Sequence, residues 1–144
     1  MLVRQILGMK GGTDVIGLAS GASVADAARL LSEKRIGAIV ITGEGGTPLG
    51  ILSERDIVRE LGRRGQGCLS DTVDTLMTRA MVTCTPDETD EQVLGKMTEG
   101  RFRHMPVMDG NGMAGLISIG DVVKARLSEL SMEKSALEGM IKGF

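Results

Sequence analysis

The chain has 144 residues, 42% apolar and 25% charged, with a formal net charge of −2. This describes one globular protein of ordinary size with no broad attraction to nucleic acid or anionic lipid. Two Phe without Tyr or Trp argue against a base-stacking platform, no apolar run reaches a membrane span, and a single His excludes a His-rich metal site.

Leu2, Val3, Ile6 and Leu7 have helical spacing and predict a short leading helix, followed by a flexible break over residues 8–13. Residues 14–18 read as a strand. Ser23 with Asp26 forms a capping-box pattern that opens a helix with Val24, Ala27, Ala28 and Leu31 on one face. Residues 38–42 are a β-branched strand, 43–48 a hairpin-type turn, and 49–52 its partner strand. Ser53 opens the next helix, which presents Ile57, Val58 and Leu61 and ends near Gly62 or Gly65. Residues 62–72 are Gly-rich and polar and read as a linker. Val73, Leu76 and Met77 predict a second short leading helix.

The order then repeats: a strand over 81–83, a turn at Pro86-Asp87, and a helix capped by Thr89 and Gln92 that carries Val93, Leu94 and Met97. Residues 104–108 and 114–117 are strands around a tight turn at 109–112. A long helix starts at Ser118 and extends toward Ile141, with Leu127, Leu130, Leu137 and Ile141 on one face; Lys134 interrupts that stripe. Cys68 and Cys84 are too few for a disulfide framework and read as reduced thiols in a cytoplasmic protein.

The two halves are copies. At an offset of 66, Ser32-Glu33-Lys34-Arg35-Ile36 falls on Thr98-Glu99-Gly100-Arg101-Phe102. At 65, Gly50-Ile51-Leu52-Ser53-Glu54-Arg55-Asp56 falls on Gly115-Leu116-Ile117-Ser118-Ile119-Gly120-Asp121. Units too small to bury a core alone pack on each other, and the seam between related halves is a natural ligand site.

The β-α-β-β-α order ending in Gly-φ-φ-Ser-x-x-Asp (φ apolar) resembles the CBS domain, named after cystathionine β-synthase. Two in tandem resemble a Bateman module, here over about residues 10–130. The segments 51–57, 101–107 and 115–123 are similar to stand-alone CBS-pair proteins. The resemblance implies an α/β fold with two repeats about a pseudo-twofold axis: one domain at 10–68, a second at 77–133 and a helical tail at 134–144. It implies adenosine-bearing ligands (AMP, ADP, ATP, NAD(H) or S-adenosylmethionine), a homodimer and a regulated partner protein, with no required cofactor, no metal and no catalytic residues. The apolar helix faces of Ile57, Val58 and Leu61, and of Val122 and Val123, are candidate dimer surfaces or plain core.

Ser118 and Asp121 read locally as a capping box. The family uses the same place differently: the Asp contacts ribose hydroxyls, and the Ser lies near phosphate beside a helix N-terminus with unpaired N–H groups. The same roles carry to Ser53 and Asp56. Arg101 and Arg103 alternate about Phe102 with a strand-like period, and His104 follows; Arg suits bidentate phosphate contacts. By resemblance these residues, with Met105 and Pro106, line the nucleotide cleft. The first half has Arg35, Gly37 and Ala38 at the positions of Arg101, Arg103 and His104, with Lys34 and Arg55 nearby, so the second half is predicted to bind phosphate more tightly. The adenine slot falls by analogy on Asp14 and Ile16 in the first half and on Ala80, Val82 and Thr83 in the second. Backbone groups would read the base there, although ordinary core strand explains Ile16 and Val82 equally well.

Other classes fare worse. A Cys84–His104 dyad lacks an orienting third group. Residues 43–50 lack the Gly-Lys-Ser/Thr of a P-loop and join two strands. A ligand-independent interaction scaffold remains the rival reading.

Overall fold

The computed structural model describes residues 1–11, 15–110 and 112–143. In chain order the elements are α1 (Val3–Met9), β1 (Gly17–Ala19), α2 (Val24–Lys34), β2 (Ala38–Thr42), β3 (Pro48–Ser53), α3 (Glu54–Arg64), α4 (Val73–Leu76), α5 (Asp90–Gly100), β4 (His104–Asp109), β5 (Gly112–Ser118) and α6 (Ile119–Ile141). The mixed α/β class read from the sequence is the one observed.

The chain forms two compact units, one of Asp14–Met81 and one joining Met1–Thr13 to Val82–Phe144. In the first, β1 runs parallel to β2 and β2 antiparallel to β3. Ile39, Ile41 and Leu52 alternate onto the face that packs with Val24, Ala27 and Leu31 of α2 and Ile57 of α3. In the second, β4 and β5 form an antiparallel ladder. Met105, Val107 and Ile117 pack there with Val93 and Met97 of α5 and Val122 and Ala125 of α6.

Each short leading helix packs on the repeat that does not follow it. Val3, Ile6 and Leu7 of α1 are buried in the core of the second repeat. The Val3 N–H donates to the Glu88 carbonyl (2.8 Å), and the Asp90 N–H to that of Met1 (2.9 Å). In the other unit the Val73 N–H donates to the Ala22 carbonyl (2.8 Å), and the Val24 N–H to that of Asp71 (2.9 Å). These are the same bonds at equivalent positions. Four- and seven-residue helices are too short to stand alone and form only where such bonds and core contacts hold them.

The exchange explains the glycine of Gly-φ-φ-Ser-x-x-Asp. A Cβ on Gly50 would lie 2.7 Å from Met77 Sδ and 2.9 Å from the Thr78 carbonyl oxygen; one on Gly115 would lie 2.8 Å from Leu7 Cδ2. Each leading segment crosses its partner strand where a side chain has no room.

Several sequence expectations are corrected. Residues 62–72 are not a free linker: α3 runs to Arg64, a 3₁₀ helix follows at Gln66–Ser70, and Cys68 is fully buried. The first predicted strand begins at Gly17 rather than 14, and Asp14 lies outside the described residues. No strand forms over 81–83; only Cys84 makes a parallel bridge, to Val107. Pro106 is the cause. In the first repeat the Val40 N–H donates to the Ile16 carbonyl (3.2 Å). Pro106 stands at the position of Val40 and has no N–H to give, so the bond that opens the first-repeat ladder is absent and only the Cys84 bridge remains.

Arg101 and Arg103 are not in a strand either. Arg101 is left-handed (φ 57°, ψ 40°) and ends α5, as Arg35 (φ 54°, ψ 47°) ends α2. The N–H groups of Phe102 and Ile36 then reach back to the carbonyls of Met97 and Leu31 (3.3 and 3.2 Å). Both helices therefore close in a Schellman motif, with Phe102 and Ile36 as its apolar residue packed against the core. The alternation about Phe102 is a helix-end pattern that resembles a strand.

Candidate functional site

The duplicated Ser-x-x-Asp places two similar carboxylates at two strand-to-helix junctions. Ser118 leaves β5 extended and caps α6. Its hydroxyl accepts the Asp121 N–H (3.1 Å), and its own N–H donates to Asp121 Oδ2 (2.8 Å). Ser53 and Asp56 repeat this at α3, with Asp56 Oδ2 accepting the Ser53 N–H (2.9 Å) and hydroxyl (3.0 Å). The local capping reading is therefore correct at both places.

Capping does not consume Asp121. Its Oδ2 also accepts the Lys10 ammonium at 2.8 Å, while Oδ1 accepts no hydrogen bond among the described residues. The side chain is 22% exposed. Burial works against its ionisation, but the Lys10 hydrogen bond, the Ser118 N–H and the Lys10 charge outweigh burial and hold the carboxyl below its ordinary value. Asp56 instead turns Oδ1 toward Arg59 Nη1 at 3.4 Å, an exposed pair on the same helix.

The helix N-terminus offers less than the sequence implied. The Ile119 N–H already donates to the Arg103 carbonyl (2.8 Å), and the Asp121 N–H is taken by Ser118. That leaves the Gly120 N–H as the first-turn donor with no acceptor among the described residues. At α3 the Glu54 N–H similarly donates to the Gly37 carbonyl (2.9 Å).

Around the second junction, His104 lies opposite Ser118 in the β4–β5 register, so the two are cross-strand neighbours. Arg101 and Arg103 are exposed, and Met105 and Pro106 are buried. At the first junction Ala38 takes the place of His104 and is buried opposite Ser53; Arg35 and Arg55 are exposed and Gly37 is half-buried. The expected difference in charge is thus carried by exposed side chains.

The adenine-slot positions differ between repeats. Ile16 packs on the core and its carbonyl is bonded to Val40, so that backbone acceptor is already in use. Val82 is 46% exposed, and Pro106 cannot bond its carbonyl. Ala80 is exposed; Thr83 is half-buried and its carbonyl accepts the Lys96 ammonium (3.0 Å).

A cysteine nucleophile has no support here. Cys84 is 1% exposed, and burial, then the charge of Glu88, pushes its thiol up to about 11, against a smaller lowering by Lys96. The thiol faces the Pro106 carbonyl (3.9 Å). Among the described residues no cluster of three His, Cys, Asp or Glu could hold a metal, and no helix is long and apolar enough to cross a membrane.

Sequence reasoning missed Lys10, which it left in a flexible break. Its proximity to Asp121 follows from α1 docking on the second repeat, and no local signal carries that.

A family model described as CBS domain matches twice, at residues 3–63 and 73–128. The chain belongs to the CBS-domain family. It is similar to the mitochondrial CBS domain-containing protein CBSX3 of Arabidopsis thaliana, 35% identical over 125 residues, which are 84% of this chain and 61% of that protein. It is 31% identical to CBSCBSPB2 of the same plant, of which it spans 22%. The CBS-domain containing protein ATU1752 from Agrobacterium tumefaciens has a crystal structure that superposes with a TM-score of 0.84 at 42% identity, over 88% of this chain and 99% of that one. The CBS domain pair of protein MJ0100, solved in complex with 5-methylthioadenosine and S-adenosyl-L-methionine, superposes with a TM-score of 0.78 at 26% identity, covering 90% of this chain and 98% of that one. The tandem CBS-pair architecture expected from the duplicated motif is thereby established.

Proposed function

We propose that this CBS pair is a non-catalytic regulatory module that binds an adenosine-bearing ligand at the β5–α6 junction. The observation that carries this reading is the complex of the MJ0100 pair with two adenosyl molecules. Oδ1 of Asp121 is open to ribose hydroxyls. The Val82 backbone, next to Ala80 and Thr83, is available to a base edge. Arg101, Arg103 and His104, with Ser118 and the Gly120 N–H, serve phosphate. AMP, ADP, ATP, NAD(H) and S-adenosylmethionine are the ligands to test. The first junction, with Ser53, Asp56, Arg35 and Arg55, is the weaker phosphate site.

In this reading occupancy biases the conformation of the pair, and a partner protein in the cytoplasm reads the change. The module acts as a homodimer. Val58 and Val123, 66% and 42% exposed, are the parts of the expected dimer faces that remain available, because Ile57 and Val122 are core.

Calorimetric titration of the five ligands into wild type and Asp121→Ala tests the proposal. Loss of a hydrogen bond to a charged group weakens binding by about ten- to a hundredfold. Equal affinity in a folded variant removes the ribose role. One observation favours the scaffold alternative: Leu127, Leu137, Met140 and Ile141 on α6 are 59–85% exposed. Failure of every ligand to raise the melting temperature would select it.

A further inference from the structure

The two repeats close the same strand position in different ways. In the first, the carbonyl of Ile51 accepts the backbone N–H of Thr78 (2.8 Å), and the Ile51 N–H returns a bond to the Thr78 carbonyl (3.0 Å). In the second, the equivalent carbonyl of Leu116 accepts the ammonium of Lys10 (2.8 Å). A charged side chain from the end of α1 does there what main chain does in the other unit. The same ammonium lies 2.8 Å from Oδ2 of Asp121.

A carboxylate oxygen has two lone pairs. On Asp121 Oδ2, one takes the Ser118 N–H and the other Lys10. With that oxygen held from two directions, rotation of the carboxylate would break two charge-assisted bonds. Among the described residues no hydrogen bond is assigned to Oδ1, which is left with a fixed direction. A freely rotating carboxylate would lose that freedom on gripping two neighbouring hydroxyls; this one has already lost it. Asp56 has no lysine partner among the described residues and turns Oδ1 toward Arg59 instead.

We propose that Lys10 is a positioning residue that presents Asp121 to the cis-diol of a ribose, and that docking of α1 is therefore linked to occupancy of the second-repeat site. The inference rests on the nucleotide-binding reading above. By linkage, a ribonucleotide held through Asp121 favours the docked α1, and loss of the docked α1 weakens ribonucleotide binding by the same factor.

The test uses the full chain and two probes, AMP and 2′,3′-dideoxy-AMP, titrated calorimetrically into wild type, Lys10→Met and Lys10→Arg. Wild type is expected to prefer AMP by about tenfold or more, the scale of one charge-assisted hydrogen bond. Lys10→Met lowers AMP affinity by about the same factor and leaves dideoxy-AMP nearly unchanged, so the preference collapses. Lys10→Arg, which keeps charge and donors, restores most of it. Should Lys10→Met not fold by circular dichroism, Lys10→Gln carries the same comparison. Equal loss for both probes overturns the proposal, because Lys10 would then serve phosphate or the fold rather than the diol. An unchanged preference in Lys10→Met overturns it while leaving the nucleotide reading intact. Wild type that binds neither probe overturns the proposal, and the adenosine-ligand reading falls with it only if the other ligands also fail to bind.

Discussion

Arg35 and Arg101 stand where helices ordinarily place glycine, and substituting them separates backbone strain from side-chain function. Both sit near the centre of the left-handed region, at φ 54°, ψ 47° and φ 57°, ψ 40°. An L-residue there costs roughly 1–2 kcal/mol, because its Cβ crowds the following carbonyl. Glycine escapes the crowding but gives up roughly 0.5–1 kcal/mol of chain entropy. The net expectation for Arg101→Gly is a gain of about 0.5–1 kcal/mol, which for a chain of this length raises the melting temperature by roughly 2–3 °C. The capping bond from residue 101 to the Met97 carbonyl is main chain and survives the change. Arg101→Ala is the control: it removes the same guanidinium and keeps the strain, so its stability should match wild type. Urea and thermal unfolding followed by far-ultraviolet circular dichroism read both. If Gly is no more stable than Ala, the strain argument fails. If Arg101 serves phosphate, Gly and Ala lose the same AMP affinity, and the more stable protein is the poorer binder.

Three further outcomes follow from particular contacts. Gly50→Ala places a Cβ 2.9 Å from the Thr78 carbonyl and should cost roughly 1–3 kcal/mol, read as a lowered urea midpoint; a wild-type midpoint would show that the crossing segment yields freely. Cys68 and Cys84 are 0% and 1% exposed, and the Cys84 thiol is protonated at neutral pH, so a colorimetric thiol reagent should label neither until the protein unfolds; stoichiometric labelling of the folded protein within minutes would contradict the burial. Asp121 is held below the ordinary 3.8, so its bond to Lys10 stabilises the fold fully above that value and is lost as pH falls through the lower, folded value. Wild type should therefore exceed Lys10→Met by about 1 kcal/mol at pH 7, a figure reduced for screening because the Lys10 side chain is 35% exposed, and the gap should close in acid. A gap of equal size on both sides of this range would mean that Lys10 acts by packing alone.

Much of the site was legible because its chemistry is local. Ser53 with Asp56, Thr89 with Gln92, and Ser118 with Asp121 bond reciprocally across three residues, whereas at Ser23 only the Asp26 N–H bond forms and the Asp26 carboxylate turns to Arg29. The duplication of these caps at nearly equal spacing carried the family, and the family model confirms it. Arg101-Phe102-Arg103 was misread because a Schellman closure and a strand both place an apolar residue between two exposed ones. The missing strand at 81–83 had a visible cause, a proline on the partner strand, but its effect depends on which residue Pro106 faces.

The amino-acid order alone set the helices, the paired strands of each repeat, the two capped junctions and the basic Arg103 and His104 where the first repeat has Gly37 and Ala38. These depend on periodicity and on bonds between near neighbours. Tertiary structure decided which leading helix serves which repeat, which carboxylate oxygen stays open, and that Lys10 completes the second junction. Lys10 and Leu116 are 106 positions apart, and no short-range preference of the chain selects one partner over another at that distance. Burial of Val3, Ile6 and Leu7 in the second core makes that choice, and Lys10 is carried with them.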